Sequence, residues 1–200
     1  MWYVKLGTFY VFSGEKIMTE KSALFLHICC APCGGGCVGR PEMIDPERKV
    51  VLFYSNSNLD SKEEFEKRLA PVRSLAEFYG LELIVDPYDH AAWLEAVKGM
   101  ENEPEGGGRC RKCFKYNLER TCKAAGENGF ATTLTVSPRK KSSVIFEIGE
   151  AWNNFEKIDF KKKNGYLTGR NFALEHGFYR QNYCGCEFSR HSAGNNTGDL

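Results

Sequence analysis

The chain has 200 residues, of which 42% are hydrophobic and 26% charged, and its formal net charge is +1. These totals describe a folded chain with material for a proper core. They exclude a protein that grips polyanions by its overall charge, and no segment approaches the roughly 20 apolar residues of a membrane span.

Residues 1–20 read as an N-terminal extension. Lys5 interrupts their apolar residues and no small-residue cleavage pattern follows, so no secretory signal is expected. The compartment expected is the cytoplasm, where clustered cysteines bind metal or do chemistry more often than they form structural disulfides. The nine cysteines, an odd number, also fit poorly with a fully paired framework. One α/β domain is expected over 21–189, and a polar, Gly/Asn-rich, disordered tail over 190–200.

In chain order, Ala23 to Ile28 is a short apolar run that reads as a buried strand. Cys29 to Gly39, rich in Cys, Gly and Pro, is a loop able to enter a short helix. Lys49 to Tyr54 is a second strand. Ser61 and Glu64 form a capping box. The helix they open sets Phe65, Leu69, Val72, Leu75, Ala76 and Tyr79 on one face, with Pro71 expected to kink or divide it and Gly80 to end it. Leu81 to Val85 is a third strand and Ala91 to Lys98 a short helix. Glu101 to Gly108 is a loop, Arg111 to Ala125 a helix, Phe130 to Val136 a β-branched strand, and Ser143 to Asn153 a helix. Lys157 to Phe160 is a candidate last strand, and Thr168 to His176 a last helix.

This alternation predicts an α/β fold, a Rossmann-like parallel sheet with helices on both faces. Ligands of such sheets bind beyond the C-terminal ends of the strands. Cys29-Cys30 stands at such an end, which places a metal site at the C-terminal strand edge.

Four thiols lead the chemistry. Cys29 and Cys30 sit in a turn, where neighbouring side chains are able to reach one centre. Cys110 and Cys113 are three apart at a helix start and share a face, where the helix dipole favours thiolate. Four thiolates suit zinc or a 4Fe–4S cluster. The Cys-Cys pair at the functional edge of a sheet favours the cluster. Cys184-Gly185-Cys186 has three readings: an easily reduced small-ring disulfide, ligands of a second metal, or two solvent-facing thiols. Cys33 is a candidate spare ligand. Cys122 falls on an apolar helical face and reads as core. His27 lies within the first strand and reads as a hydrogen-bonded core histidine.

Four stretches carry a family resemblance. They are His27 to Cys33 (His-Ile-Cys-Cys-Ala-Pro-Cys), Asn102 to Gly107 leading into Cys110-Arg111-Lys112-Cys113-Phe114, Thr132 to Pro138, and Tyr179 to Cys186. In order and separation they resemble the epoxyqueuosine reductase QueH family over roughly Ala23 to Ser189. The resemblance implies a tRNA-modifying oxidoreductase with an adenine-nucleotide hydrolase-like sheet. Its reaction would remove the epoxide oxygen of epoxyqueuosine at the wobble position. It implies a 4Fe–4S cluster on Cys29, Cys30, Cys110 and Cys113, and a redox-active pair at Cys184 and Cys186. It further implies an adjacent mononuclear iron, for which Cys33, Cys184 and Cys186 are candidate ligands, and an electron donor that remains unidentified. For tRNA phosphates the candidates are Arg139, Lys140 and Lys141 together with Lys161, Lys162 and Lys163. Phe178, Tyr179 and Tyr183 are candidates for stacking on a splayed base.

Three other readings compete. An adenylating enzyme needs a Ser-Gly-Gly-x-Asp-Ser loop, and only Gly34-Gly35-Gly36 echoes it. A zinc-stabilised nucleic-acid-binding module and a thiol–disulfide oxidoreductase also accommodate parts of the cysteine pattern.

Overall fold

The structure is a computed structural model and describes residues 22–189. The proposed extension (1–20) and tail (190–200) lie outside the described residues. The elements are β1 (Leu24–Ile28), α1 (Ala31–Gly35), β2 (Val50–Tyr54), α2 (Lys62–Tyr79), β3 (Glu82–Val85), α3 (His90–Val97), α4 (Gly108–Ala125), β4 (Gly129–Thr132), α5 (Ser142–Gly149) and α6 (Gly165–Glu175). Short 3-10 turns cover Thr133–Val136 and Lys162–Asn164. No helix among the described residues is long and apolar enough to cross a membrane.

The four strands are parallel in the order β3-β2-β1-β4. The expected α/β fold is present. Successive side chains of a strand point to opposite faces, and β1 feeds two cores. Leu24, Leu26 and Ile28 join Leu52, Tyr54 and the buried stripe of α2 (Phe65, Leu69, Val72, Leu75). Phe25 packs on the other side with Phe130 of β4, Phe114 and Leu118 of α4, and Ile145 of α5. Helices therefore cover both faces.

Chain order reverses at β1, whose neighbours are β2 and β4. That switch point opens a crevice beyond the strand's C-terminal end, the usual ligand position in open parallel sheets. Cys29 and Cys30 follow β1 directly into it. His27 is fully buried, with Nδ1 2.8 Å from Thr132 Oγ1 of β4 and Nε2 3.0 Å from the Ser55 carbonyl after β2. It ties three strands together, as the core reading expected.

The glycine run has a packing role. A Cβ on Gly36 would stand 2.3 Å from the Gly165 carbonyl oxygen, and one on Gly169 would stand 2.0 Å from that of Pro32. Small residues on both partners let α1 and α6 meet backbone to backbone, which pulls α6 over the crevice.

Three differences from expectation have a local cause; in addition α5 ends at Gly149, short of the expected Asn153, and α4 and α6 each begin three residues earlier than expected. Pro71 does not divide α2, which runs unbroken from the Ser61 cap, whose Oγ accepts the Glu64 N–H at 3.1 Å, to Gly80 at φ +62°. The strand expected over Phe130 to Val136 stops at Thr132. There the Thr132 hydroxyl accepts the Leu134 N–H at 3.1 Å and turns the chain into a 3-10 turn, an alternative that Ser and Thr side chains offer the backbone. With β4 so short, Lys157 to Phe160 finds no ladder to join. One parallel bridge, Phe130 to Phe155, takes its place, and the Thr135 hydroxyl donates to the Ile158 carbonyl at 2.9 Å.

Candidate metal centre and substrate cleft

Cys30 is the N-cap of α1 and has an extended backbone (φ −169°, ψ 162°). Cys33 follows one turn later, so both sulfurs project to the same side. Cys29, at the end of β1, completes the group. The sulfurs of Cys29, Cys30 and Cys33 all lie within 4.8 Å of one another, with Cys29 and Cys30 3.8 Å apart.

Their proton affinities divide. Cys30 accepts from the Cys29 and Cys33 thiols and from Gln181 Nε2 at 3.2 Å, and these contacts hold its pKa well below the ordinary thiol value against the opposing cost of burial. Cys29 is pushed up to about 12, first by its hydrogen bond to Cys30. Cys33 is raised well above the ordinary value by its bonds to both neighbours and by burial. Three soft donors converging in this way fit a thiolate-bound metal group, in which a cation replaces the thiol protons.

The three thiols form one wall of a cleft of about 110 Å³. Cys113 of α4 and Cys184 line the same cleft. Cys110 stands one turn before Cys113, is half-buried, and accepts the Gly106 N–H at 3.2 Å. Burial raises the thiols of both Cys110 and Cys113, and the charge of Cys184 raises them further. The cleft thus brings Cys29, Cys30, Cys33, Cys113 and Cys184 together. Cys110 is not in its wall.

Cys184 and Cys186 sit on a pinned loop. Arg68 Nη1 donates to the Cys184 carbonyl at 3.0 Å, Asp60 N–H donates to the Gly185 carbonyl at 2.9 Å, and Gly185 N–H donates to Ser189 Oγ at 3.2 Å. Cys186 is buried against Trp93 and Val97 of α3. Every cysteine is free. Cys122 is half-buried against the α4 and α5 core, close to its expected place.

The cleft wall carries five cations (Arg68, Arg139, Lys140, Arg170 and Arg180) against one carboxylate, Glu105. Burial pulls the Lys140 pKa down, but the nearby charges of Cys184, Cys29, Cys33 and Cys30 leave it raised on balance. Lys140 is half-buried and lines the same cleft as these sulfurs. Arg139, Lys141, Lys162 and Lys163 are exposed. Lys161 is committed internally, with Nζ donating to the Lys140 carbonyl and, at 2.9 Å, to Ser142 Oγ. Of the aromatic candidates, Tyr183 lines the cleft. Phe178 packs against Phe172 and His176, and Tyr179 donates to Glu64.

The motifs left several cleft residues unread: Arg68, Asn58, Asn117, Tyr166 and Gln181. Two had a signal. Arg68 lies on the stripe Phe65-Leu69-Val72, and Asn117 lies between Phe114 and Leu118 of α4; both are 3% exposed. A polar residue at a core position of an amphipathic helix asks for a buried partner.

A parallel α/β sheet whose switch-point crevice holds three converging thiols, with five cationic side chains among its lining residues, fits metal–thiolate or thiol-redox chemistry. The sequence profile described as epoxyqueuosine reductase QueH matches residues 24–192. A protein of that name from Streptococcus pyogenes is 33% identical over 183 residues, covering 84% of this chain and 71% of the relative. One from Thermotoga maritima is 34% identical over 177 residues, covering 83% and 89%. One from Staphylococcus epidermidis is 30% identical, covering 85% and 77%. The chain belongs to the epoxyqueuosine reductase QueH family and is an oxidoreductase.

Proposed function

We propose that this chain removes the epoxide oxygen from epoxyqueuosine at the wobble position of tRNA, leaving queuosine and water. The observation that carries the reading is the group of three mutually adjacent thiols at the switch point, inside a cleft that five basic side chains and one carboxylate also line. The reaction consumes two electrons and two protons. In this reading Cys29, Cys30, Cys110 and Cys113 hold a 4Fe–4S cluster, and Cys33 is the candidate ligand of an adjacent iron. Bound there, the cluster supplies electrons singly from an external donor.

The chain's own residues do the rest. Cys184, in the same wall, pairs with Cys186 as a dithiol that stores two electrons and closes to a disulfide when it gives them up. Lys140 keeps a positive charge beside the sulfurs and offsets the negative charge that reduction adds. Arg139 and Arg170 at the rim, with exposed Lys141, Lys162 and Lys163, meet tRNA phosphates. Lys161, tied to Lys140 and Ser142, shapes the rim instead. No membrane partner is proposed, and the cytoplasm is the proposed compartment.

The test is anaerobic turnover of tRNA carrying the epoxide nucleoside, read by nucleoside mass. The expected result is loss of one oxygen in wild type and no multiple turnover in Cys184→Ser. Protein with its cluster intact that leaves the epoxide untouched, given a chemical reductant, overturns the reading.

A further inference from the structure

Three cleft residues share an arrangement that the reaction chemistry has not used. Each is anchored by at least one polar atom and leaves another buried without a partner among the described residues. Arg68 is 3% exposed; its Nε donates to Glu64 at 2.6 Å and its Nη1 to the Cys184 carbonyl at 3.0 Å, yet Nη2 is unpaired. Asn117 is also 3% exposed; its Nδ2 donates to Asn58 Oδ1 at 3.2 Å, and its Oδ1 is unpaired. Gln181 Nε2 donates to Cys30 Sγ at 3.2 Å, and its Oε1 is unpaired. Buried polar atoms normally have partners, and each exception calls for a reason, a functional role among them.

The anchors fix which atoms remain free. Glu64 and Cys184 settle the Arg68 guanidinium, and the Tyr183 ring packs over it at 5.2 Å. The two amides are oriented by acceptors for their N–H groups, so their carbonyl oxygens face the remaining direction. All three residues line the cleft that holds the thiols. The free set is one cationic donor and two neutral acceptors.

That set selects a ligand class. A phosphate offers acceptors only and would meet two carbonyl oxygens with lone pairs opposed. An apolar group would leave all three atoms unsatisfied. A hydroxyl both donates and accepts, and a ring bearing adjacent hydroxyls and an ether oxygen satisfies every member.

We propose that Arg68, Asn117 and Gln181 are the specificity residues that read the hydroxylated epoxide ring of the substrate. Arg68 Nη2 donates to a ring oxygen, and Asn117 Oδ1 and Gln181 Oε1 accept from its hydroxyls. This rests on the epoxide-reductase reading and adds the residues that recognise the modified base.

The test compares binding of two tRNAs to the anaerobic holoenzyme: one carries the epoxide nucleoside, the other has guanine at the same position. Wild type is expected to prefer the modified tRNA by about ten-fold or more, as a site built to hydrogen-bond a hydroxyl does. Arg68→Lys, Asn117→Leu and Gln181→Met should each cut that ratio by about five-fold or more. Binding of the guanine tRNA should stay within about two-fold, and the ratio should not change with salt. Cluster absorbance and circular dichroism establish that each variant is intact, and an unshifted cluster spectrum in Gln181→Met separates reading the ring from supporting Cys30; if Asn117→Leu unfolds, Arg68→Lys and Gln181→Met decide. Wild-type selectivity that survives in Arg68→Lys and Gln181→Met overturns the proposal. A wild type with no preference for the modified tRNA overturns the function reading instead.

Discussion

Arg68 Nη1 holds the Cys184 carbonyl at 3.0 Å, across 116 positions of sequence. The contact exists because Gly185 has no side chain. A Cβ there would lie 2.3 Å from Leu59 Cδ2 and 3.1 Å from Arg68 Nη1, and the residue sits at φ +129°. Gly185→Ala therefore meets both a clash and a backbone conformation that L residues rarely adopt. The expected cost is about 1–3 kcal/mol, read as a lower urea midpoint under anaerobic reducing conditions, with faster amide exchange in residues 184–186. An unchanged midpoint would show that the loop is not pinned.

Glu64 and Arg68 form a buried ion pair at 2.6 Å, with side chains 8% and 3% exposed. Tyr179 also donates to Glu64, at 3.2 Å. Removing one partner of such a pair leaves an uncompensated buried charge, so Glu64→Gln should destabilise by about 3–5 kcal/mol. The double variant Glu64→Gln/Arg68→Met should recover part of that loss. Equal stability of single and double variants in urea unfolding would contradict the pairing.

His27 gives the fold an acid limit. Burial, outweighing the Ser55 carbonyl and nearby Asp86, lowers its pKa from 6.5 to about 4. Between these values the unfolded chain binds the proton and the folded chain does not, so stability rises with pH through this window and is complete above about 6.5. The contribution is on the order of 3 kcal/mol, lost as pH falls from about 6.5 to 4. His27→Gln should flatten that slope; its measure is urea stability of both proteins at several pH values, and parallel curves would refute it.

The rim separates phosphate contacts from scaffolding. Arg139→Ser should weaken tRNA binding and reduce the slope of log affinity against log salt by about one. Lys161→Met should leave that slope unchanged and lower thermal stability, because its ammonium bonds the Lys140 carbonyl and Ser142. Salt titrations of both variants decide between the roles.

Much of this was readable from the chain. Strands β1 and β2, helices α2 and α4 and the position of Cys29-Cys30 follow from local pattern, because each of these elements buries an apolar run or stripe; β3 was legible as well, although its apolar residues are only partly buried. Cys33 joins Cys30 through one helical turn. The failures are tertiary. Thr132 and Thr135 have strand propensity, but their hydroxyls bond the backbone and end β4 early. Lys161 matches Lys162 and Lys163 in sequence and differs only through partners about 20 residues earlier. Gln181 reaches Cys30 across 151 positions, a pairing that no local pattern encodes. Arg68 and Asn117 were visible as polar residues on apolar stripes, but their partners required the folded chain.

In the proposed function, thiols distant in sequence hold one iron–sulfur group at the switch point. Iron, acid-labile sulfide and zinc analysis of the anaerobically purified protein is its decisive test. The expected result is brown protein with on the order of four irons and four sulfides per chain, lost in Cys30→Ser and in Cys113→Ser. Colourless protein carrying stoichiometric zinc and no sulfide would contradict it.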